Sequence, residues 1–362
     1  MRKICVVLLL TALLVAGVLF VVRPWEGVTV AIMFPASGVG ASWTLSLTQS
    51  LLLAFDYFNE RPFAPKYCPI VIQTDDIEEG IKEAIDSGAV VIVGASTSTY
   101  ASRLQEAADE AGLSVISVGA LSQALSAKDN LFRPHSGVGE AFVMGKKLAR
   151  PGLNYAVCAS AQNPIYVVPF LNALIAEIGG IRPVLHLIAD GGISKEVLLP
   201  AFAKIMETSC VVLVLPDFSA AIVTKELRYA YFMPILVASW GATTRFVALV
   251  GSMGEDVRTI ASWRPDVFET PHPFVEYVTK LYGDELEPYA ITMAYDAVAM
   301  LDSAVKKGGN DRSSMKDRLG EIRSLEGING PFSVDENGDG HPLFYFQEVS
   351  DKRWRLVEVV AP

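Results

Sequence analysis

The stretch DENGDGHP, residues 335–342, sets oxygen ligands at alternate positions, Asp335, Asn337 and Asp339, with Gly340 at the sixth. That is how a calcium loop begins, but such a loop closes on a bidentate carboxylate at its twelfth position. Here the twelfth residue is Phe346, inside an apolar run. The flanking PFSV and FYFQEV are strand-like, so the stretch is expected to be a Gly/Asn/Asp turn between strands, with no metal bound. The four histidines, His135, His186, His272 and His341, include no pair at ligand spacing and no H-E-x-x-H. There is no G-x-S-x-G elbow and no Walker loop. FPASGVGASW (34–43) follows a strand pattern and opens a helix, and Gly38-x-Gly40 starts a dinucleotide fingerprint. Its third glycine position is Trp43, whose indole would block the close helix–strand packing a dinucleotide site requires. No catalytic constellation and no cofactor site emerge; the expectation is a protein that is not an enzyme.

The elements that position these loops alternate regularly. Short β-branched runs at 28–34, 70–74, 89–94, 114–119, 155–159, 183–188, 210–215 and 234–239 are separated by amphipathic helical stretches such as 44–59, 100–111, 138–148, 165–178 and 219–230. Near-continuous Val/Ile runs suit strands buried on both faces of parallel sheets covered by helices. RPGLN at 150–154 divides two similar halves, which predicts two doubly wound α/β domains. Three further helices follow, near 273–281, 289–307 and 314–322, and the end of the chain predicts a β-hairpin around SDK, 350–352.

The 362 residues, 51% of them hydrophobic, suffice for two full cores. The formal charge of −10 argues against a nucleic-acid partner, which would need a basic stripe. After Met1-Arg2-Lys3, residues 4–22 form a 19-residue run without a charge, about 28 Å as a helix and close to the thickness of a bilayer core. The basic flank keeps the N-terminus inside and places residues 24–362 outside the cytoplasm. Residues 1–23 are therefore expected to be an uncleaved membrane anchor, with a cleaved signal peptide as the alternative. Leaving out residues 1–23, with Arg2, Lys3, Arg23 and Cys5, takes the formal charge to −13 and leaves Cys68, Cys158 and Cys210, with no C-x-x-C. Three cysteines do not make a disulfide framework, and Cys158 and Cys210 lie in apolar strand runs as core residues.

From Val28 onward the chain resembles the type I periplasmic binding proteins, in their branched-chain (leucine/isoleucine/valine) amino-acid branch of ABC-transporter substrate-binding proteins. The resemblance rests on four segments in order: FPASGVGASW, VGASTSTYAS (93–102), ISVGALSQALSAKDNLFRPHS (116–136) and GINGPFSVDENGDG (327–340). It implies two Rossmann-like lobes joined by three crossovers, with a ligand in the cleft between them. Lobe 1 would comprise 28–134 and 262–328, and lobe 2 would comprise 135–261 and 329–362. It implies a monomer that captures a small organic ligand by lobe closure and delivers it to an ABC permease. The alternatives are a ligand-sensing receptor ectodomain of the same fold and, third, an anchored α/β enzyme.

Carried over position by position, the resemblance implies a cleft made by Trp43, Ser98, Thr99, Gly119, Ala120, Leu121, Tyr166, Asp217, Phe218 and Trp240. Ser98 and the N–H groups at its helix start would meet a carboxylate. Two departures matter. Leu121 stands where the family has a threonine, and Trp240 stands where amino-acid binders place the acid that meets the ammonium. An unpartnered buried ammonium costs several kcal/mol, so the expected ligands are amino-acid-like molecules or apolar and aromatic carboxylates, the latter bound more tightly unless Asp217 supplies the missing acid. Arg245 is a further candidate for reaching an anion.

Overall fold

The Val/Ile runs assemble into two separate sheets. The protein, a computed structural model, is described over residues 27–38, 41–137, 139–189, 198–230 and 233–360. The apolar segment at 4–22 lies outside these residues; among the described residues no helix is long and apolar enough to cross a membrane.

Strands β1 (Val28–Phe34), β2 (Tyr67–Gln73), β3 (Val91–Gly94), β4 (Ser114–Ser117) and β5 (Leu131–Phe132) form a parallel sheet in the order β2-β1-β3-β4-β5. Strands β6 (Tyr155–Ser160), β7 (Leu185–Ala189), β8 (Cys210–Val214), β9 (Ile235–Ala238) and β10 (Arg258–Ala261) are the parallel part of the second. Every residue of β3, β4, β6, β8 and β9 is buried, as strands covered by helices on both faces must be. Cys158 and Cys210 are buried in the second sheet. A small antiparallel sheet, β11 (Ser324–Gly327), β12 (Gly330–Val334) and β13 (Gly340–His341), stands apart. Strands β14 (Phe344–Ser350) and β15 (Arg353–Val360) then complete the second sheet as an antiparallel edge, order β15-β14-β10-β9-β8-β6-β7. Asp351 and Lys352, with φ of 53° and 57°, make the tight left-handed turn expected of the SDK hairpin.

The chain leaves the first sheet after β5, leaves the second after β10 and returns to the second at β14. RPGLN does not divide the halves. The helix Glu140–Leu148 that precedes it already packs on the second lobe, against the helix Pro164–Glu177. The proline and glycine there make a local turn ahead of β6.

The crossovers are tied by buried polar groups. Arg133 is wholly buried and grips Asp339 with two bonds, Nε to Oδ1 at 2.7 Å and Nη2 to Oδ2 at 2.6 Å. Its Nη1 also donates to the carbonyls of Ala120 and Ser122. His135 bridges Ser262 Oγ at 3.0 Å and Asp296 at 2.7 Å. The DENGDG segment is a turn. Asp335 Oδ1 accepts the N–H groups of Asn337 and Asp339, and Gly338 takes the left-handed φ of 83°. Asp339 is engaged by Arg133, so the two carboxylates work inside the protein and do not converge on a common point. Asp335→Ala is expected to cost about 1–2 kcal/mol, with melting temperatures of parent and variant equally indifferent to sub-millimolar calcium. A calcium-dependent rise abolished by the substitution would refute this.

Candidate functional site

The site forms where loops at the carboxyl ends of β1, β3 and β4 meet those after β6, β9 and β10, the usual position for ligands of open α/β sheets. On the first lobe, Asp75 Oδ1 accepts the N–H groups of Ala36 and Ser37, at 3.1 Å each, and fixes the loop after β1. These bonds, with the Ser37 side chain first, hold the Asp75 carboxyl below its ordinary range. The helix Ala41–Glu60 then carries Trp43 into the cleft. After β3, Ala95 sits in the left-handed region at φ 63°, a conformation that costs a side-chain-bearing residue about 1–2 kcal/mol. Strain of this kind gathers at functional sites, and here it presents Ser96 and Ser98 to the cleft. Thr97 caps the helix Ser98–Glu110 by accepting from Tyr100 N at 3.2 Å. Ser98 Oγ accepts from Ser122 N at 3.1 Å, which joins the β3 and β4 loops. Gly119 is required there, since a Cβ would lie 2.8 Å from the Ser96 carbonyl oxygen.

On the second lobe, Gly139 at φ 105° turns the chain into the helix Glu140–Leu148 and buries its first residue. Glu140 accepts from Ser239 N at 2.8 Å, Ser239 Oγ at 2.9 Å and the Tyr166 hydroxyl at 3.1 Å. Burial raises its carboxyl to about 7, against the lowering effect of these bonds. Tyr166 is pushed well up by burial and by the Glu140 charge. Asp217 is buried as well; it accepts from Phe218 N at 2.7 Å and from the Thr243 hydroxyl at 3.2 Å.

The loops enclose a cavity of about 40 Å³. Five aromatic rings line it in a continuous chain. Tyr166 meets Trp240 at 6.0 Å between centroids, and Trp240 meets Trp43 edge-on at 6.2 Å across the lobes. Trp43 meets Tyr289 at 6.2 Å, and Tyr289 meets Trp263 at 6.3 Å. Such ring pairs contribute about 0.5–1.5 kcal/mol each beyond their burial. Among the described residues no Asp, Glu, Lys, Arg or His lines the cavity. The indole N–H groups of Trp43 and Trp240 are buried there without a hydrogen-bond partner. A cavity that admits benzene measures about 150 Å³, so a ring-sized ligand has to part the lobes.

Hydrogen bonds join the lobes on both sides of the cavity. Asn163 Oδ1 accepts from Thr99 N at 3.1 Å and Thr99 Oγ1 at 3.0 Å. Glu287, ahead of the helix Pro288–Lys306, accepts from Thr244 N at 3.1 Å and from the Thr244 hydroxyl. The Ser122 hydroxyl donates to the Ile165 carbonyl.

Of the residues expected from sequence, Trp43, Ser98, Gly119, Leu121, Tyr166 and Trp240 line the cavity. Thr99 lies outside it and joins the lobes through Asn163, and Ala120 is buried behind it. Asp217 does not line it and is placed behind Thr243. Phe218 is turned to solvent, 53% exposed, because Asp217 and Phe218 open a helix and the second side chain rotates away from the cleft. Arg245 is exposed and does not line the cavity. Sequence reasoning missed Asn163, Ser239, Thr243, Trp263, Tyr289 and Met293 in the lining, and Glu140 behind it.

No family model and no curated protein matches the sequence. Solved structures do. A leucine-binding protein, LivK, from Thermotoga maritima superposes with a TM-score of 0.82 at 16% identity, over 92% of this chain and 99% of that one. The fold is that of the type I periplasmic binding proteins. The isoleucine complex of LivJ, a branched-chain amino-acid transporter substrate-binding protein from Streptococcus pneumoniae, gives 0.80 at 17%, over 93% and 100% of the chains. The benzoate complex of an ABC-transporter solute-binding protein from R. palustris gives 0.80 at 18%, over 93% and 97%. With the type I fold in place, the aromatic cavity occupies the space between the two lobes, and the two flanking clasps are interlobe contacts.

Proposed function

We propose that the protein is an extracytoplasmic solute-binding protein that captures a small organic ligand by lobe closure and delivers it to an ABC permease. The observation that carries this is a cavity of aromatic walls between two α/β lobes, with hydrogen bonds across the lobes on either side of it. Closure around a hinge both sequesters a ligand and changes the outer surface that a membrane partner reads. The ligand classes the wall chemistry favours are amino-acid-like molecules and apolar or aromatic carboxylates. The lobes are taken as 28–134 with 262–328, and 135–261 with 329–362, and the protein as a monomer held to the membrane by residues 4–22. The neighbours' isoleucine and benzoate belong to those proteins; they support the range of ligand sizes to be tried. No reaction is required of the site.

A thermal-shift screen of the full-length chain against amino acids, aromatic acids and amides tests this. At least one compound is expected to raise the melting temperature and to bind saturably without being altered. Failure of every compound, or turnover of any, overturns the reading. The double change Thr99→Val with Thr244→Val removes two hydroxyl bonds across the lobes, each worth about 1 kcal/mol. It is expected to weaken capture of that compound roughly tenfold or more, mainly through faster release.

A further inference from the structure

Glu140 and Asp217 are buried carboxylates on the cleft side of the second lobe, and neither has an ion-pair partner among the described residues. A buried carboxylate in a protein is ordinarily paired with a cation. Here no basic side chain lines the cavity, and both acids meet its wall through hydroxyl groups, Glu140 through the Ser239 N–H as well. The Tyr166 and Ser239 hydroxyls give their protons to Glu140, and the Thr243 hydroxyl gives its proton to Asp217. What these groups turn toward the cleft is lone pairs, beside the faces of five aromatic rings. The first lobe has the opposite character. It offers the first N–H of the helix Ser98–Glu110, whose next two N–H groups are taken by Asn163 and Thr97, and an unpartnered Trp43 indole N–H, joined from across the cleft by that of Trp240.

We propose that the ligand is a small betaine, a molecule with a methylated ammonium group at one end and a carboxylate at the other. The methylated ammonium sits among the rings of Trp43, Tyr166, Trp240 and Tyr289 with Glu140 as its counter-charge. The carboxylate meets the indole N–H groups and the Ser98 helix start. This rests on the solute-binding reading and narrows it. A primary ammonium is compact and strongly hydrated, so its burial is costly unless a carboxylate meets it directly, and no carboxylate reaches the lining. A methylated ammonium has no N–H to satisfy. It is stabilised by ring faces and by charge one hydroxyl away. Glu140 is thus a positioning and charge-balancing residue that acts through Tyr166 and Ser239.

Calorimetry on the full-length chain with three probes decides. Trimethylglycine has the methylated cation, 3,3-dimethylbutanoate has the same shape with an uncharged head, and glycine has the cation without methyl groups. Trimethylglycine is expected to bind about tenfold more tightly than 3,3-dimethylbutanoate, on the scale of a desolvated cation–π contact, and more tightly than glycine. Glu140→Gln is expected to shrink the preference for the charged head to about threefold or less. Tyr166→Phe removes the hydroxyl that relays Glu140 and keeps the ring, and it is expected to shrink the same ratio if the glutamine variant does not fold. Equal or tighter binding of the uncharged isostere, or tighter binding of glycine, overturns the proposal. Binding of isoleucine or benzoate with none of trimethylglycine overturns it and leaves the solute-binding reading standing. If no compound of any class binds, both fall.

Discussion

Arg133→Met is expected to destabilise the protein by about 3–5 kcal/mol, the usual result of removing one partner of a buried ion pair and stranding the other. The guanidinium and the Asp339 carboxylate have 0% and 2% side-chain exposure, so water cannot replace either. The loss reaches beyond the pair. Arg133 also holds the carbonyls of Ala120 and Ser122, and its backbone exchanges bonds with Gly338 and Gly340. It therefore joins the first crossover, the β4 loop of the cleft and the turn between β12 and β13. Urea unfolding checks the magnitude. The double change Arg133→Met with Asp339→Leu is expected to recover much of the loss, because two apolar groups leave no buried charge. If the double variant is no better than the single, the bonds to the two carbonyls matter more than the pair.

The second large effect depends on pH. Glu140 is raised by burial from the ordinary 4.5 to about 7. Between those values the folded protein holds this proton more tightly than the unfolded chain does. Its contribution to stability is complete below 4.5 and is lost as the pH rises through 7. One pKa unit corresponds to about 1.4 kcal/mol, so the loss over the interval is about 3 kcal/mol. Among the described residues only Tyr166 and Ser239 face the carboxyl in hydrogen bonds, and no cation pairs with it. Glu140→Gln keeps the shape and does not titrate. The stability difference between variant and parent is expected to move by about 3 kcal/mol in the variant's favour from pH 4.5 to pH 8, read from denaturant midpoints at each pH. A difference that stays constant would show that Glu140 does not change charge in this interval.

Much of the scaffold is legible in the sequence, because burial on both faces forces Val and Ile into continuous runs. The runs that end at Phe34, Gly94 and Ser117 mark where strands stop, and the first cleft residues follow each of them. The family resemblance could be carried onto Trp43, Ser98, Gly119 and Leu121 because these loops were so marked. Phe346 in the twelfth position is likewise explained by its place in β14. What could not be read depends on chain segments far apart. Trp263 lies just past β10, and Tyr289 lies on a helix that packs back against the helix Ala41–Glu60; each joins the aromatic chain only once that distant segment returns to the first lobe. Phe218 fails for a local reason, since one residue at a helix start decides between cleft and solvent. Glu140 did leave a signal. Glu140, Met144 and Leu148 recur at helical spacing and are all buried, so its place on an apolar face marked it as an unusual acid.

The edge-on contact of Trp43 with Trp240 has a mechanical consequence. The two indoles meet across the cleft with 6.2 Å between centroids, and the space beside them is about 40 Å³. The bulk of the cargo held between them sets how far the jaws can close on it. A transport partner that reads the closed rim would then meet a slightly different surface for each cargo, and molecules of equal affinity and unequal size would give it unequal signals.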